Sequence, residues 1–272
     1  MKNIVFIQDI NFDRGDDTGD KNKLSHIHGR VWEDKISPYK YSIASWKKWA
    51  ENNNCDVLLM EDLLTPTEQM GICWQRYYLF DMLENDGILE NYDQILIVDA
   101  DTIVHPDCPN FFELTNHKYA GVHQEGSMDW IGRSMEQFSK FVFNDFMIPY
   151  ENYINCGFQI FNKSHRKFLK QVVDYYFENK QNLQDVTNKY GIGTDQTPMN
   201  FLLRMKDIDV KLLPYEFNMT ALFQKEILDE ELTFTKIGWV YHFCSIPDNW
   251  NGKAGLHWMK KTYEHFYGEL KD

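Results

Sequence analysis

A short apolar run that ends on two carboxylates constrains this 272-residue chain more than any other feature. Residues 95–98 are four consecutive apolar residues, three of them β-branched, and polar positions flank them. Such a run predicts a short strand that is buried on both faces. Asp99 and Asp101 follow two residues apart, so in extended backbone both side chains project from one side of the chain. The pair is therefore a candidate ligand set for one divalent cation, Mn²⁺ or Mg²⁺.

The alternative for this pair is a local structural role. Aspartate often caps a following turn or helix, and Asp-x-Asp alone is a weak pattern. The position favours a site, because two acids directly after a buried strand repel each other unless a cation or hydrogen-bond donors compensate. Ligands in open α/β sheets also gather beyond the carboxyl ends of the strands.

The other apolar patterns predict an α/β fold. Short apolar runs predict strands, and apolar residues at three- and four-residue spacing predict helices between them. The predicted strands are residues 4–7, 57–60, 95–98, 119–122, 154–161 and 210–213, and the predicted helices are residues 38–52, 71–85 and 165–180. Segments 11–29 and 123–150 lack a clear period and are expected to be loops, the second with short helices over a cleft. We expect one domain, 1–272, with a mixed, mostly parallel central sheet flanked by helices.

Charge and hydropathy limit the partners of this chain. A formal net charge of -13 argues against nucleic acid or an anionic membrane as a partner. No stretch approaches the roughly twenty apolar residues of a membrane span, and the N-terminus is polar too soon for a signal peptide. We therefore expect a soluble, cytoplasmic protein in which an anionic small substrate needs a local cationic device, such as a bound metal.

Two residues inside regular elements are candidates for the wall of a site. Arg76 falls on the apolar stripe of the predicted helix 71–85, where an arginine either bonds an internal carboxylate or reaches an anion in a cleft. Gly157 lies in the predicted strand 154–161, and a glycine there indicates either close approach of a ligand or a β-bulge. Both alternatives stay open for each residue.

Two further positions combine polar groups with ordered surroundings. Asp195 and Gln196 follow a loop with two glycines and open a helix, so Asp195 either caps that helix or presents a carboxylate beside an amide, as sugar hydroxyls require. His242 sits in an apolar strand, where a hydrogen-bonded core histidine is the commoner outcome. As a third ligand beside Asp99 and Asp101 it would supply one neutral nitrogen, which Mn²⁺ tolerates better than Mg²⁺.

In this order the features resemble the GT-A fold glycosyltransferases, especially the retaining galactosyl- and glucosyltransferases related to glycogenin. The shared features are an N-terminal strand and loop, Asp99-Ala-Asp101 after a hydrophobic strand, Asp195-Gln196 at a helix start, and His242 before a Trp-containing loop. The resemblance implies that the two acids and the histidine bind Mn²⁺, or Mg²⁺, which bridges the diphosphate of a nucleotide sugar.

The same resemblance assigns the remaining candidates. Asp195 and Gln196 would lie at the reacting carbon of the sugar as the catalytic residues. The residues implied to bind the donor or to face donor and acceptor sugars are Asp9, Arg76, Asp99, Asn155, Gly157 and Lys253. Lys253 is the least secure of them, because glycogenin relatives place a glycine and a lysine where this chain has Ser245 and Asp248. The implied halves are a nucleotide-binding part, 1–115, and an acceptor-binding part, 116–272.

The predicted function is transfer of a hexose from a nucleotide sugar, UDP-linked, to a sugar or glycan acceptor with retention of configuration. Inversion would need a carboxylate base, for which Asp145 and Asp248 are the spare acids. One alternative is a haloacid dehalogenase-like phosphatase or phosphotransferase, although that scheme places Asp-x-Asp on the first strand with Thr or Val where Ile103 stands. The other is a non-catalytic carbohydrate-binding module, suggested by eight tryptophans and 15% aromatic residues.

Overall fold

The computed structural model describes residues 1–10, 37–126, 128–224, 227–246 and 253–270. The predicted loop 11–29 therefore lies outside the described residues. Eight strands are described: β1 (Lys2–Gln8), β2 (Cys55–Met60), β3 (Tyr92–Val98), β4 (Thr102–Val104), β5 (Tyr119–His123), β6 (Ile154–Asn162), β7 (Val210–Leu213) and β8 (Val240–His242).

Six of these strands form the central sheet, in the order β2-β1-β3-β6-β5-β7. Strand β6 runs antiparallel to both neighbours, β3 and β5, whereas the β2-β1-β3 and β5-β7 pairs are parallel. The remaining two strands, β4 and β8, form a separate antiparallel ribbon. The predicted mixed, mostly parallel sheet is confirmed.

The continuous apolar run of β3 is explained by burial on both faces. Ile95 and Ile97 pack into one core cluster, and Leu96 and Val98 pack into another on the opposite face. All four side chains are 1% exposed or less. Alternate residues of a strand point to opposite faces, so an element with a core on each side needs apolar residues throughout.

Seven α-helices are described on the two faces and at the ends of the sheet. They are α1 (Lys40–Asn52), α2 (Ile72–Gln75), α3 (Leu79–Asn85), α4 (Met128–Phe141), α5 (Arg166–Tyr190), α6 (Gln196–Met205) and α7 (Lys253–Tyr267). Within the described ranges, none of the helices combines the length and the apolar composition that a membrane crossing would need.

Two predicted helices have different bounds in the structure. The helix predicted at 71–85 is interrupted, because residues 76–78 form a 3₁₀ turn in which Arg76 Nε donates to Cys73 O at 2.8 Å. The helix predicted at 165–180 continues to Tyr190 and ends before Gly191, which has φ +62°, as a left-handed helix cap requires. Phe177 in that helix is 48% exposed, although helical spacing from the buried Val173 places it on the apolar side.

The segment 123–150 was expected to lack long regular structure, and this was wrong. It contains the 14-residue helix α4. The buried positions of α4 do follow helical spacing: Ile131, Ser134, Met135, Phe138 and Ser139. Two of these five positions are serines, which weaken the apolar period in the sequence.

Candidate active site

Strand pairing brings the two acids and the histidine together. Asp99 N donates to Gly157 O at 2.9 Å, which extends the β3–β6 pairing by one residue beyond the end of β3. The chain then turns, and the turn is held by Thr102, whose Oγ1 donates to Asp99 O at 2.8 Å and accepts from Trp46 Nε1 at 2.9 Å. Thr102 pairs with His242 across the β4–β8 ribbon, so the histidine lies beside the residues that precede β4.

The resulting cluster has the geometry of a cation site. His242 Nε2 lies 3.0 Å from Asp101 Oδ1 and 3.6 Å from Asp99 Oδ2. One ligand atom from each residue lies within 4.8 Å of the others. The histidine is 1% exposed, whereas the two carboxylates are about one third exposed, so the cluster is open on the side of the acids.

The histidine nitrogen that faces the acids is poorly satisfied by protein groups. Nε2 of His242 is buried and makes no well-formed hydrogen bond within the described ranges, although Asp101 Oδ1 is near. Burial alone would lower the pKa of His242, but Cys244 and Asp101 outweigh it and raise the pKa well above its ordinary value. The pocket thus favours a positive charge between these atoms, as a proton or as a cation.

Gly157 leaves the space beside the cluster free. A methyl group built on this residue would lie 2.5 Å from Asp99 Oδ2, 2.5 Å from His242 Cε1 and 2.8 Å from Asn155 Oδ1. Any larger residue would therefore intrude between the acid and the histidine. The cluster itself offers one imidazole nitrogen and two carboxylate oxygens, a donor set that fits Mn²⁺.

Arg76 connects this cluster to the predicted sugar-binding acid. Its Nη1 donates to Asp99 Oδ1 at 2.8 Å, and its Nε lies 3.5 Å from Asp195 Oδ2. Burial would lower the pKa of Arg76, but Asp195 and Asp99 outweigh it and hold the pKa well above its ordinary value. Arg76 is 5% exposed and makes the internal ion pair that the sequence had left as one of two alternatives.

Asp195 occupies the N-cap position of α6, but its side chain does not cap the helix. Instead Oδ2 accepts a hydrogen bond of 2.7 Å from Tyr77 Oη, and the side chain is 3% exposed. The buried carboxylate raises the pKa of Tyr77, in addition to the larger effect of burial, so the tyrosine stays a donor. The local capping alternative is therefore not what the side chain of Asp195 does.

Gln196 and Asn155 meet in a network of buried amides. Oε1 of Gln196 accepts from Cys156 N at 3.0 Å and from Asn155 Nδ2 at 3.1 Å. Its Nε2 makes one long contact, 3.4 Å to Gln124 Oε1. An amide nitrogen carries two hydrogens, and the second acceptor near this one is Tyr153, whose pKa is raised by burial and lowered in part by the Gln196 side chain.

The remaining candidates make no contact with the cluster that the structure describes, or they fall outside the described residues. Asp9 follows β1 directly and is 7% exposed, and its Oδ1 accepts a hydrogen bond of 2.8 Å from Ser37 Oγ. Burial raises the pKa of Asp9. It lies at the same sheet edge as Asp99, because β1 and β3 are parallel neighbours. Lys253 begins α7, but its side chain is outside the described part. Asp145 is exposed in the turn after α4, and Asp248 lies outside the described residues.

The sequence analysis did not predict a role for three residues of this region: Tyr77, Gln124 and Asn218. Gln124 directly follows β5, whose carboxyl end lies at the same edge as that of β3, so the rule that singled out Asp99 would also have found Gln124. Asn218 is fully buried, and its Oδ1 lies 3.0 Å from His242 Nδ1. It directly follows a short 3₁₀ turn, and no sequence pattern distinguishes it.

A mixed α/β sheet with two acids beyond a central strand, joined by a histidine from a late strand, is the arrangement of a GT-A fold glycosyltransferase. Two solved structures share the fold at 11% identity and a TM-score of 0.53 each. One is a glycosyltransferase involved in the glycosylation of the major capsid of PBCV-1, and the alignment covers 94% of this chain and 98% of that one. The other is the galactosyltransferase LgtC in complex with donor and acceptor sugar analogs, with 99% and 98% covered.

The chain belongs to glycosyltransferase family 8, whose family model matches residues 34–254. No curated protein sequence matches the chain significantly. Family membership confirms the prediction of a glycosyltransferase over the phosphatase and over the non-catalytic sugar-binding module.

Proposed function

We propose that the protein transfers a hexosyl group from a UDP-linked sugar to a sugar or glycan acceptor, with Mn²⁺ held by Asp99, Asp101 and His242. The observation that carries this proposal is the convergence of three ligand atoms within 4.8 Å of one another, beside Gly157, where a Cβ would crowd Asp99 and His242. The neutral nitrogen favours Mn²⁺ over Mg²⁺. When bound, such an ion offsets the charge that builds on a departing diphosphate.

The protein groups around the cation site have separate tasks. Arg76 holds Oδ1 of Asp99, so Oδ2 of that carboxylate remains directed at the space beside His242. Asp9, at the same sheet edge, is the proposed contact to the nucleotide part of the donor, and Lys253 is the proposed contact to its phosphates. In this proposal residues 1–115 bind the nucleotide, and residues 116–272 bind sugar and acceptor.

The sugar is proposed to lie against Gln196, Asp195 and Asn155. The long 3.4 Å contact of the Gln196 amide to Gln124 is the one that a sugar hydroxyl would replace, and Asp195 is held in place by Arg76 and Tyr77. A carboxylate engaged by two donors is suited to positioning rather than to taking a proton from an acceptor. We propose retention of configuration, as in the retaining glycosyltransferases that the sequence resembles, because that outcome needs no separate carboxylate base.

The choice of a hexose donor is supported by one of the structures with the same fold. LgtC is a galactosyltransferase, and its structure holds donor and acceptor sugar analogs. We therefore propose UDP-galactose and UDP-glucose as the first donors to test.

A donor hydrolysis screen tests the proposed function. The protein is incubated with UDP-hexoses and, separately, with phosphate esters, in Mn²⁺, in Mg²⁺ and in EDTA. We expect release of UDP from a UDP-hexose with Mn²⁺, little with Mg²⁺ and none with EDTA. Asp101→Asn should lower this turnover by about 100-fold or more. The thermal unfolding midpoint should change little, because the side chain of Asp101 is partly exposed. A fully active Asp101→Asn protein, or turnover in EDTA, contradicts the proposed site.

A further inference from the structure

Asn218 lies between the cation site and the sugar site. It is fully buried, and its two ends contact different residues. Oδ1 lies 3.0 Å from His242 Nδ1, and Nδ2 donates to Asn155 Oδ1 at 2.9 Å. Its neighbour Asn155 in turn reaches Gln196 Oε1 through Nδ2, at 3.1 Å. One asparagine therefore connects the histidine of the metal cluster to the amides beside the sugar.

The orientations of the Asn155 and Asn218 side-chain amides can be derived from one backbone donor. Gly157 N can only donate, and it points at Asn155 from 2.8 Å, so the atom it meets must be the amide oxygen of Asn155. That oxygen can accept a second hydrogen bond but cannot donate, so the atom of Asn218 facing it must be the amide nitrogen. The other end of Asn218, which faces His242, is therefore its oxygen.

The same reasoning fixes the ring of His242. An amide oxygen only accepts, so His242 Nδ1 must carry a hydrogen and donate to Asn218 Oδ1. In the neutral ring the other nitrogen, Nε2, then carries the lone pair. Nε2 is the atom that lies beside Asp99 and Asp101 and lacks a well-formed hydrogen bond within the described ranges.

We propose that Asn218 is a positioning residue that holds His242 in the Nδ1-protonated tautomer, with the Nε2 lone pair aimed at the cation, and couples this ring to Asn155. The proposal rests on the proposed metal site. Outer partners of ligating histidines fix tautomer and ring orientation, and their loss typically costs about 10- to 100-fold in metal affinity. Asn218 makes no contact with the cation, so its effect is carried through His242.

Two measurements test this role without relying on turnover. Nitrogen NMR of the metal-free wild type at a pH where His242 is neutral should show hydrogen on Nδ1 and none on Nε2. Titration calorimetry with Mn²⁺ should show affinity about 10- to 100-fold lower in Asn218→Ala than in the wild type. Asn218→Asp retains an acceptor for Nδ1 but loses the donor to Asn155, so it should bind Mn²⁺ more tightly than Asn218→Ala.

Gln94→Ala is the matched control. Gln94 is also a buried amide, 4% exposed, with bonds to Phe112 O and Thr115 Oγ1, but it lies near the start of β3, away from Asp99. The control should lose stability and keep the wild-type Mn²⁺ affinity.

Each outcome bears on the inference. Hydrogen on Nε2 in the metal-free wild type overturns it, and so does an Asn218→Ala protein that folds and binds Mn²⁺ like the wild type. If Asn218→Ala does not fold, the tautomer of the wild type decides. If the wild type binds no Mn²⁺, the proposed metal site fails, whereas the tautomer measured without metal still decides what Asn218 does.

Discussion

Gly157 is the point at which one added methyl group would disturb the cation site most directly. In Gly157→Ala the new Cβ would lie 2.5 Å from Asp99 Oδ2 and 2.5 Å from His242 Cε1. Contacts below 3.0 Å are essentially never seen for real Cβ atoms. For ordinary contact, Asp99 Oδ2 would have to retreat from 2.5 Å to 3.4 Å, a shift of about 0.9 Å.

The size of this shift sets the expected loss of metal affinity. Ligand distances in metal sites hold to about ±0.2 Å, and a misplacement of about 1 Å can cost ~10²-fold in the rate of a catalytic site, which we take as the scale for the metal site. We therefore expect Gly157→Ala to bind Mn²⁺ about 100-fold more weakly, which is about 2.7 kcal/mol of binding free energy. Overpacking should separately lower the free energy of unfolding by about 1–3 kcal/mol.

The assay is calorimetric titration with Mn²⁺, with urea unfolding in parallel. Gly121→Ala is the control, because Gly121 lies opposite Gln159 of β6 and a Cβ there would meet Ile154 Cδ1 at 2.8 Å, an apolar side-chain tip. The control should lose stability but keep its Mn²⁺ affinity. The reasoning is refuted if folded Gly157→Ala binds Mn²⁺ like the wild type, or if both variants lose affinity equally.

Three further predictions concern charge. Arg76→Met should lower the free energy of unfolding by about 3 kcal/mol in urea titrations, because it leaves the buried carboxylate of Asp195 without its cation. Adding Asp195→Asn to this variant should recover part of the loss. Equal stability of the single and the double variant would contradict this. Asp9→Asn should resist urea better than the wild type at pH 7 but not at about pH 3. Burial raises the pKa of Asp9, so the stability of the wild type falls as the pH rises above the ordinary value of 3.8. A difference in stability between the two proteins that stays constant with pH would refute this. UDP should bind tightly by calorimetry only with Mn²⁺ present, and equal affinity in EDTA would count against the cation site.

Local patterns predicted the strands of the central sheet, and they singled out Asp99 and Asp101 as a candidate pair of metal ligands. The run before Asp99 predicted a strand buried on both faces, and both of its faces are indeed covered. Such signals are contained in a few neighbouring residues, and the rule that ligands gather beyond strand ends converts them into positions in space. His242 was found through resemblance, since an apolar strand around a histidine more commonly indicates a core residue.

What the sequence did not reveal depends on contacts between distant segments. Asn218 acquires its role only because β8 places His242 beside it, and its own neighbours in sequence carry no pattern of period 2 or 3.6. The two alternatives for Arg76 could not be separated before the positions of Asp99 and Asp195 were known. Helix α4 was hidden for a different reason, since small polar residues also fill buried positions.

The charges of the described site bear on how a strongly acidic protein could act on the anionic donor proposed for it. The region holds three carboxylates, Asp99, Asp101 and Asp195, and one guanidinium, that of Arg76, which gives a formal charge of -2. A proton on His242 reduces this only to -1. This charge would repel a diphosphate, and a divalent cation held by the acids, as proposed, would offset it. If the proposed function is correct, the cation should bind before the donor, and UDP affinity should depend on Mn²⁺, which would not be expected of a basic phosphate pocket.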